Sequence, residues 1–174
     1  MENRLVRTEI KAGDILIRGE KEASGTLSEI RKSLRVFHTL EVMAAAIYRF
    51  QIGGRHPELH QPLISAMANE MTHIQDFQIK LSEYGFRPSI LRIAYWVVGW
   101  CFGTFSKLLG RKQILKTGVW VETKAVCRYS ELLEHTEWDA DTRRVIEKDL
   151  RDEEGHIRMW RSFLQTNPGS PPQV

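Results

Sequence analysis

Residues 68–77 read ANEMTHIQDF and place a glutamate and a histidine, Glu70 and His73, within an apolar helical pattern. The apolar side chains around them recur with the spacing of one helix face: Leu63, Met67, Ile74, Phe77 and Leu81. A charge buried without a partner is costly or becomes neutral. The stretch therefore predicts an amphipathic helix with a polar group on its buried face that needs a partner.

A second Glu-x-x-His motif is formed by Glu153 and His156. Residues three apart on a helix lie side by side on one face, so each motif offers a two-residue corner for a metal ion. A single motif is not specific, because glutamate and histidine are common, and a solvated helix face is its ordinary alternative.

Two further glutamates, Glu41 and Glu122, lie on the apolar faces of their own predicted helices. Positions seven residues before and after each of the four glutamates return to nearly the same face. All eight are apolar or aromatic: Leu34, Tyr48, Leu63, Phe77, Leu115, Tyr129, Ile146 and Trp160. This pattern favours four carboxylates that point inward over four solvated ones.

The order of these residues repeats: a lone glutamate, a Glu-x-x-His motif, a second lone glutamate and a second motif. This order predicts two helical hairpins related by a pseudo-two-fold axis. Ferritin-like bundles that bind two iron or two manganese ions use this ligand set. Two divalent cations would neutralise four clustered carboxylates, and mixed carboxylate and imidazole ligation suits iron or manganese better than structural zinc.

Helix boundaries follow from capping residues, glycine and proline. The first predicted helix runs from Thr26 or Ser28 to about Gln51, before Gly53 and Gly54. The second begins at Pro57 or Pro62 and ends before Gly85, and the third is the apolar segment described below. The fourth covers 111–135, and Asp139 or Asp141 opens the last helix. No strand pattern appears, so we predict an all-α, ferritin-like four-helix bundle over residues 27–166. Residues 1–26 are predicted to form an irregular arm, and 167–174 a disordered tail.

An additional apolar helical segment, Ile93–Phe105, is predicted between the two hairpins. It is too short to span a bilayer, which needs about 20 residues. It either lies in a membrane interface, with Tyr95, Trp96 and Trp100 at the headgroups, or packs within a homo-oligomer, and the sequence leaves both open. Gly99 and Gly103 predict a close helix approach in either case.

The bulk composition is that of a globular protein with a net charge of +3. Its basic residues are scattered, which argues against nucleic-acid binding and permits contact with an anionic membrane surface. Cys101 and Cys127 form no disulfide framework, and the first residues lack the apolar core of a signal peptide. We therefore expect a cytoplasmic protein, either free or peripheral on a membrane.

Several motifs resemble the demethoxyubiquinone hydroxylase family, whose members are ferritin-like di-iron monooxygenases of ubiquinone biosynthesis. The similarity extends over most of residues 34–160. Its motifs are IYRFQ at 47–51, FRPS at 86–89, GWCFGTFSKLLG at 99–110, VWVE at 119–122 with a tyrosine seven residues later, and RDEEGH at 151–156.

The resemblance implies a metal centre with two iron ions. Its ligands would be Glu41, Glu70, His73, Glu122, Glu153 and His156, with Glu70 or Glu153 bridging the metals. Manganese accepts the same ligands. The implied reaction uses O2 to hydroxylate a quinone or related aromatic lipid and needs an external electron donor, because no glycine-rich nucleotide fingerprint appears.

Two departures from the family pattern affect this expectation. Thr39-Leu40 replaces a small Ala-Gly pair before the first glutamate and would crowd the approach to the metals. Arg128 stands before Tyr129, where the family tends to carry histidine. Either change would alter the substrate or electron delivery.

Other polar residues near the motifs have weaker signals. Tyr48 and Tyr129 return to the ligand face and are the candidate catalytic residues, with buried core tyrosines as the alternative. Asp149 or Asp152 would orient a ligating histidine or form surface ion pairs. His38 is expected outside the ligand set, and exposed positions are expected for His56, His60 and His135.

Two other functions remain open from the sequence. The same bundle occurs in ferritin-like and rubrerythrin-like proteins, so the alternative is a ferroxidase, iron-binding or peroxide-scavenging protein without an organic substrate. A third possibility is a structural or lipid-binding bundle that keeps the ligands but has lost turnover.

Overall fold

The computed structural model describes Arg18 and residues 24–165, and the rest of the predicted arm and the tail lie outside the described residues. The described chain is all-α, as predicted, with no strand in the part described. It contains α1 (Ser24–Gln51), a 3-10 turn (Pro57–Leu59), α2 (His60–Glu83), α3 (Arg92–Leu108), α4 (Arg111–His135) and α5 (Ala140–Gln165).

The helix ends follow the predicted signals with one correction. Helix α1 begins at Ser24 rather than at Thr26 or Ser28, so the predicted boundary of the arm is too late. Helix ends vary over a residue or two, and Gly25 in the first turn does not stop this helix. Helices α1 and α2 end before Gly53 and Gly85, which have φ angles of 77° and 71°.

Asp139 caps α5, as one of the two predicted alternatives requires. Its Oδ1 accepts hydrogen bonds from the backbone N–H groups of Asp141 and Thr142, at 3.1 and 3.0 Å. These are N–H groups that a helix start leaves without intrahelical partners. The cap therefore fixes where the last helix begins.

Helices α1 and α2 form one hairpin, α4 and α5 form the other, and the hairpins meet through α1–α4 and α2–α5 contacts. The interior contains two apolar clusters. One includes Leu34, Phe37, Phe77, Tyr129 and Ile146, and the other Ile47, Tyr48, Leu63, Leu115 and Trp160. Along each of the four helices, the predicted ligand positions lie between these two clusters.

Helix α3 lies outside this four-helix arrangement and packs mainly on α1. Gly99 and Gly103 are buried at the contact, where an added Cβ atom would overlap the backbone carbonyl oxygens of Met43 and Ile47. The predicted close approach is therefore confirmed, and α1 is its partner.

The other side of α3 is apolar and open to solvent. Large exposed side chains continue from the preceding residues through its end: Ile90, Leu91, Ile93, Tyr95, Trp96, Val97, Val98, Trp100, Phe102, Phe105, Leu108 and Leu109. Among the described helices, none combines the length and hydropathy needed to cross a bilayer. We call this surface the α3 face.

Candidate metal centre

The six predicted ligand side chains meet in the middle of the bundle, between the two apolar clusters. Glu41 comes from α1 and Glu122 from α4, while each Glu-x-x-His motif comes from α2 or α5. Five of the six are fully buried, and the side chain of His156 is 13% exposed. The buried helix faces predicted from heptad positions are therefore correct.

These side chains form two overlapping groups whose donor atoms lie within 4.8 Å of one another. One group contains Glu41, Glu70, His73 and Glu153, and the other Glu70, Glu122, Glu153 and His156. Both groups share Glu70 and Glu153. The family resemblance implies that one or the other bridges the metals, and the ligand atoms of both residues lie in both groups.

The two histidines point their Nδ1 atoms at the carboxylates. His73 Nδ1 lies 3.0 Å from Glu153 Oε1, and His156 Nδ1 lies 3.2 Å from both Glu70 Oε1 and Glu122 Oε1. Glu41 Oε2 is farther, 3.8 Å from His73 Nδ1. Each group thus offers three carboxylates and one imidazole nitrogen, which suits a divalent transition metal.

The donor atoms fit a metal ion on a second ground. Within the described residues, both carboxylate oxygens of Glu70 and of Glu153, Glu122 Oε2, and Nδ1 of both histidines are buried without a hydrogen bond of ordinary geometry. Buried polar atoms are nearly always satisfied in native proteins. Unsatisfied ligand atoms that converge from α2, α4 and α5 are therefore what a metal centre requires.

The electrostatics divide the carboxyl groups into two kinds. Burial and the neighbouring carboxylates Glu153 and Glu70 raise the pKa of Glu41 and of Glu122. Burial would also raise the pKa of Glu70, but the adjacent His156 and His73 outweigh it, and the pKa is lowered. The neighbouring histidines thus favour the ionised form of the shared carboxylates, whereas burial favours the protonated form of the lone glutamates.

The histidine pKa values shift in the matching direction. Burial lowers the pKa of His156, but Glu122, Glu153 and Glu70 overcome this effect and raise it to about 12. The pKa of His73 is likewise raised by surrounding carboxylates, against burial. The clustered carboxylates therefore favour positive charge at both histidines.

The two candidate tyrosines cross between the hairpins. Tyr48 donates a hydrogen bond to Glu122 Oε1, and Tyr129 donates one to Glu41 Oε1. Each tyrosine lies seven residues after one lone glutamate and binds the other, which is consistent with the predicted pseudo-two-fold relation. Their positions beside the glutamates agree with the predicted face.

Trp160 contacts Tyr48, and the sequence pattern indicated only that position 160 is apolar. Its Nε1 donates a 2.9 Å hydrogen bond to Tyr48 Oη. Gly118 leaves room for the ring, because a Cβ atom there would overlap the indole. Tyr129 instead packs against Phe37 and Phe77. The two tyrosine environments therefore differ.

Both candidate orienting aspartates lie beside His73 Nε2. The distances are 3.3 Å to Asp152 Oδ2 and 3.6 Å to Asp149 Oδ1. Lys148 Nζ lies 2.9 Å from Asp149 Oδ1 and 2.7 Å from Asp76 Oδ2. Carboxylates in this position fix the tautomer and orientation of a ligating imidazole. Within the described chain, no carboxylate lies within ion-pair distance of His156 Nε2, so this support is one-sided.

The remaining histidines lie outside the two groups. His38 is buried, and its pKa is lowered to about 4 by burial and by Arg92. His135 is exposed, as predicted, but His56 and His60 are half-buried, contrary to expectation. The reason at His56 is that its Nε2 accepts a 3.0 Å hydrogen bond from the Arg111 N–H at the start of α4.

The residues of the two departures from the family pattern belong to neither donor group. Thr39 and Leu40 line a cavity beside α1. Its other lining residues include Leu91, which precedes α3, and Tyr95, which lies within α3. Arg128 forms a 2.6 Å ion pair with Glu131 on the outside of α4. This cavity is lined by none of the six predicted ligands, and the expected crowding at the metals stays a prediction.

Comparison with known proteins identifies the family. Residues 28–161 match the family described as Ubiquinone biosynthesis protein COQ7. The chain is 30% identical over 141 residues to the 3-demethoxyubiquinol 3-hydroxylase of Polaromonas sp. (strain JS666), which is 80% of this chain and 65% of the relative. It is 28% identical over 143 residues to the enzyme of that name from Pseudomonas paraeruginosa, covering 78% and 66%.

A relative from a eukaryote shows comparable similarity. The chain is 30% identical over 135 residues to the mitochondrial NADPH-dependent 3-demethoxyubiquinone 3-hydroxylase of Dictyostelium discoideum, which is 75% of this chain and 62% of that protein. The chain thus spans slightly less than two thirds of the length of these relatives. It belongs to the COQ7 family, which confirms the resemblance and agrees with the ferritin-like bundle.

Proposed function

We propose that this protein is a di-iron monooxygenase that uses O2 to hydroxylate a quinone or related lipid-borne aromatic ring. The observation that carries the proposal is the pair of overlapping donor groups in the bundle, which share Glu70 and Glu153. The relatives named as hydroxylases of demethoxyubiquinol or demethoxyubiquinone support the reaction class.

The metal-holding residues divide into two sets under this proposal. Glu41 and His73 would hold one iron, Glu122 and His156 would hold the other, and Glu70 and Glu153 would contribute to both. Two ferrous ions in these positions would balance the four carboxylates and supply electrons for the reduction of O2. Manganese fits the same donors, and iron is the choice suited to oxygen chemistry.

The chain's own residues position ligands and control protons. Tyr48 and Tyr129 are the proposed catalytic residues, because each holds its hydroxyl proton on a lone glutamate. These hydrogen bonds orient Glu122 and Glu41. The apolar clusters on both sides exclude water, which strengthens every electrostatic interaction inside.

The α3 face supports contact with a membrane surface, where a lipid-borne quinone resides. Aromatic side chains such as Trp96 and Trp100 are 42% and 44% exposed there, and amphipathic rings favour the interfacial region. We propose peripheral attachment of a cytoplasmic protein through this face. Electrons would come from an external donor, and the Dictyostelium relative is named as NADPH-dependent.

The test is oxygen transfer from ¹⁸O2. Protein reconstituted with ferrous iron is mixed with a short-tailed quinol, a reductant and ¹⁸O2, and the product is analysed by mass spectrometry. We expect one ¹⁸O atom per hydroxylated ring, with loss of product in Glu70→Ala/His73→Ala. Oxygen uptake that proceeds equally without quinol and yields no labelled ring would overturn the proposal in favour of a ferroxidase, which the family match does not favour.

A further inference from the structure

The cavity lined by Thr39 and Leu40, of about 410 Å³, lies beside α1, next to the α2–α3 connection and the start of α3. Three basic side chains, Arg31, Lys32 and Arg35, occupy consecutive turns of α1 and form part of its wall. The residues that line the cavity include no acidic side chain. Its electrostatic character is therefore that of an anion site.

The arginines of this wall are anchored by neighbouring groups other than carboxylates. Arg35 Nε donates a 2.8 Å hydrogen bond to the carbonyl oxygen of Arg87, and the Arg31 guanidinium lies 6.0 Å from the centre of the Phe86 ring. Across the described residues, none of the three basic side chains forms an ion pair with a carboxylate. Their positive charges are thus available to an external anion.

The opposite wall of the cavity is apolar. Val36, Leu40, Leu91 and Tyr95 line it, and Leu91 and Tyr95 belong to the apolar surface that continues along the α3 face. Thr39 also lines the cavity and is only 5% exposed. Its Oγ1 has no hydrogen-bond partner in the described structure. A wall with three basic side chains that faces an apolar wall suits an anionic ligand with an apolar extension.

This cavity is separate from the six-residue cluster. Thr39 precedes Glu41 by two residues, which is about 200° around the helix, so the two side chains leave α1 on different sides. Glu41 points into the bundle, while this side of α1 faces α3. A ligand in the cavity would therefore not require displacement of any predicted metal ligand.

We propose that this cavity binds the phosphate headgroup of an anionic lipid, with its apolar chain directed along the α3 face. The inference rests on the proposed membrane contact of α3. Arginine forms paired hydrogen bonds with phosphate, which suits Arg31 and Arg35. A lipid is favoured over a soluble phosphate compound because the apolar wall joins an exposed apolar surface, where a soluble anion would gain nothing.

The first test compares binding to vesicles of phosphatidylcholine with and without phosphatidylglycerol, by sedimentation. We expect the native chain to prefer the anionic vesicles. Arg31→Gln/Lys32→Gln should bind them about thirty-fold more weakly, since each basic residue contributes roughly a five-fold effect. The matched control is Arg144→Gln/Arg161→Gln, which removes the same charge from exposed positions of α5 and should retain the preference.

A second variant separates a cavity from a merely basic surface. Ser28→Trp fills the cavity from its exposed rim without a change of charge. We expect it to reduce the preference for anionic vesicles about ten-fold while circular dichroism stays native. An unchanged preference in Ser28→Trp, with a folded protein, would overturn the headgroup site.

Soluble phosphates distinguish the source of the ligand. Inorganic phosphate and NADPH, titrated separately by calorimetry, are expected to bind weakly, in the millimolar range. Micromolar binding of either, abolished by Arg31→Gln/Lys32→Gln and accompanied by equal affinity for both vesicle types, would overturn the lipid assignment.

Failure of this inference is distinguishable from failure of the proposed function. Equal binding to both vesicle types together with labelled quinone product would remove the headgroup site and leave the hydroxylase proposal intact. Absence of labelled product with a strong preference for anionic vesicles would support the site while removing the proposed reaction.

Discussion

The middle of the bundle buries polar side chains, whereas the α3 face exposes apolar ones. Each is the reverse of the usual distribution in a globular protein. The middle of the bundle brings together the carboxylates of four glutamates and the imidazoles of two histidines, while α3 exposes aromatic and aliphatic side chains in a continuous surface. Buried charges require partners, and large exposed apolar surfaces mark interaction sites. Each region therefore supports a proposed partner outside the chain: metal ions in one case and an apolar environment in the other.

The two regions are linked through α1. One side of this helix presents Glu41 to the centre, and another side accepts Gly99 and Gly103 of α3. A close backbone contact thus connects the apolar surface to the helix that carries a predicted ligand. If both proposals hold, the membrane-facing element and the metal centre share a rigid support.

The largest effect is expected at a shared carboxylate. Glu70 belongs to both donor groups, whereas Glu41 belongs to one. We expect Glu70→Gln to weaken both metal positions by at least about 100-fold, exceeding the 10- to 100-fold typical of outer-shell changes, and Glu41→Gln to weaken one. Competition with a chromophoric chelator measures this, and equal losses in the two variants would argue against a bridging role.

The next effect concerns the α3 face. Ile93→Ser/Phe105→Ser replaces side chains that are 60% and 67% exposed. We expect about 100-fold weaker binding to phosphatidylcholine vesicles, because each buried apolar side chain contributes about 1.5 kcal/mol or more. Metal content should not change, which would separate the two regions experimentally.

Ile64→Ser/Met71→Ser provides the matched control for this prediction. It removes comparable apolar side chains, 47% and 57% exposed, from α2. It should leave vesicle binding intact. A different pair of results would assign the α3 face to an oligomer. The native chain would not bind vesicles, and sedimentation velocity would show a dimer that is lost when Ile93 and Phe105 are substituted.

A moderate effect is expected where the two regions are joined. Gly99→Ala/Gly103→Ala places Cβ atoms against the carbonyl oxygens of Met43 and Ile47. We expect the free energy of unfolding to fall by about 3 kcal/mol, as for an overpacked contact. The control is Gly155→Ala, where an added Cβ meets only the end of Arg158; helix propensity predicts a gain of up to about 1 kcal/mol. Urea unfolding measures both.

The smallest effect is expected at an ordinary polar contact, Asp139. Burial raises its pKa, but hydrogen bonds from Thr142 and Tyr84 outweigh burial and lower it from 3.8 to about 2. A carboxyl group with a lowered folded-state pKa stabilises the fold above its unfolded pKa, and this contribution is lost as the pH falls from about 4 towards 2.

Substitution checks this reasoning. Asp139→Ala also removes the cap of α5, so we expect about 1 kcal/mol of stability to be lost at pH 7 and the difference from the native chain to shrink near pH 2. Glu137→Ala, an exposed position in the same connection, should have little effect. A difference that persists undiminished at low pH would contradict the assignment to the ionised carboxylate.

The sequence predicted most of this architecture because the responsible signals are local. Heptad positions around the glutamates identified which helix faces are buried, and Gly53 and Gly85 marked helix ends through their conformational freedom. The repeated order of the motifs indicated two related hairpins. These features depend on spacing along one helix, which a sequence displays directly.

Other features depend on contacts between distant segments, and the sequence did not reveal them. Periodicity does not show that Tyr48 reaches Glu122 across the bundle, or that Trp160 donates to the same tyrosine. The cavity that Thr39 and Leu40 line was not visible in the sequence for the same reason. Proximity in sequence to Glu41 suggested a role at the metals, but α1 turns those side chains towards α3.

The most direct test of the central claim is the metal content of protein expressed in iron-replete medium. The native chain is compared with Glu70→Ala/His73→Ala and with Glu134→Ala/His135→Ala, which removes an exposed glutamate and histidine from α4. The account predicts about two iron ions per chain, as the two donor groups require, lost only in the first variant. Stoichiometric zinc, absence of metal, or iron that survives in Glu70→Ala/His73→Ala would contradict it.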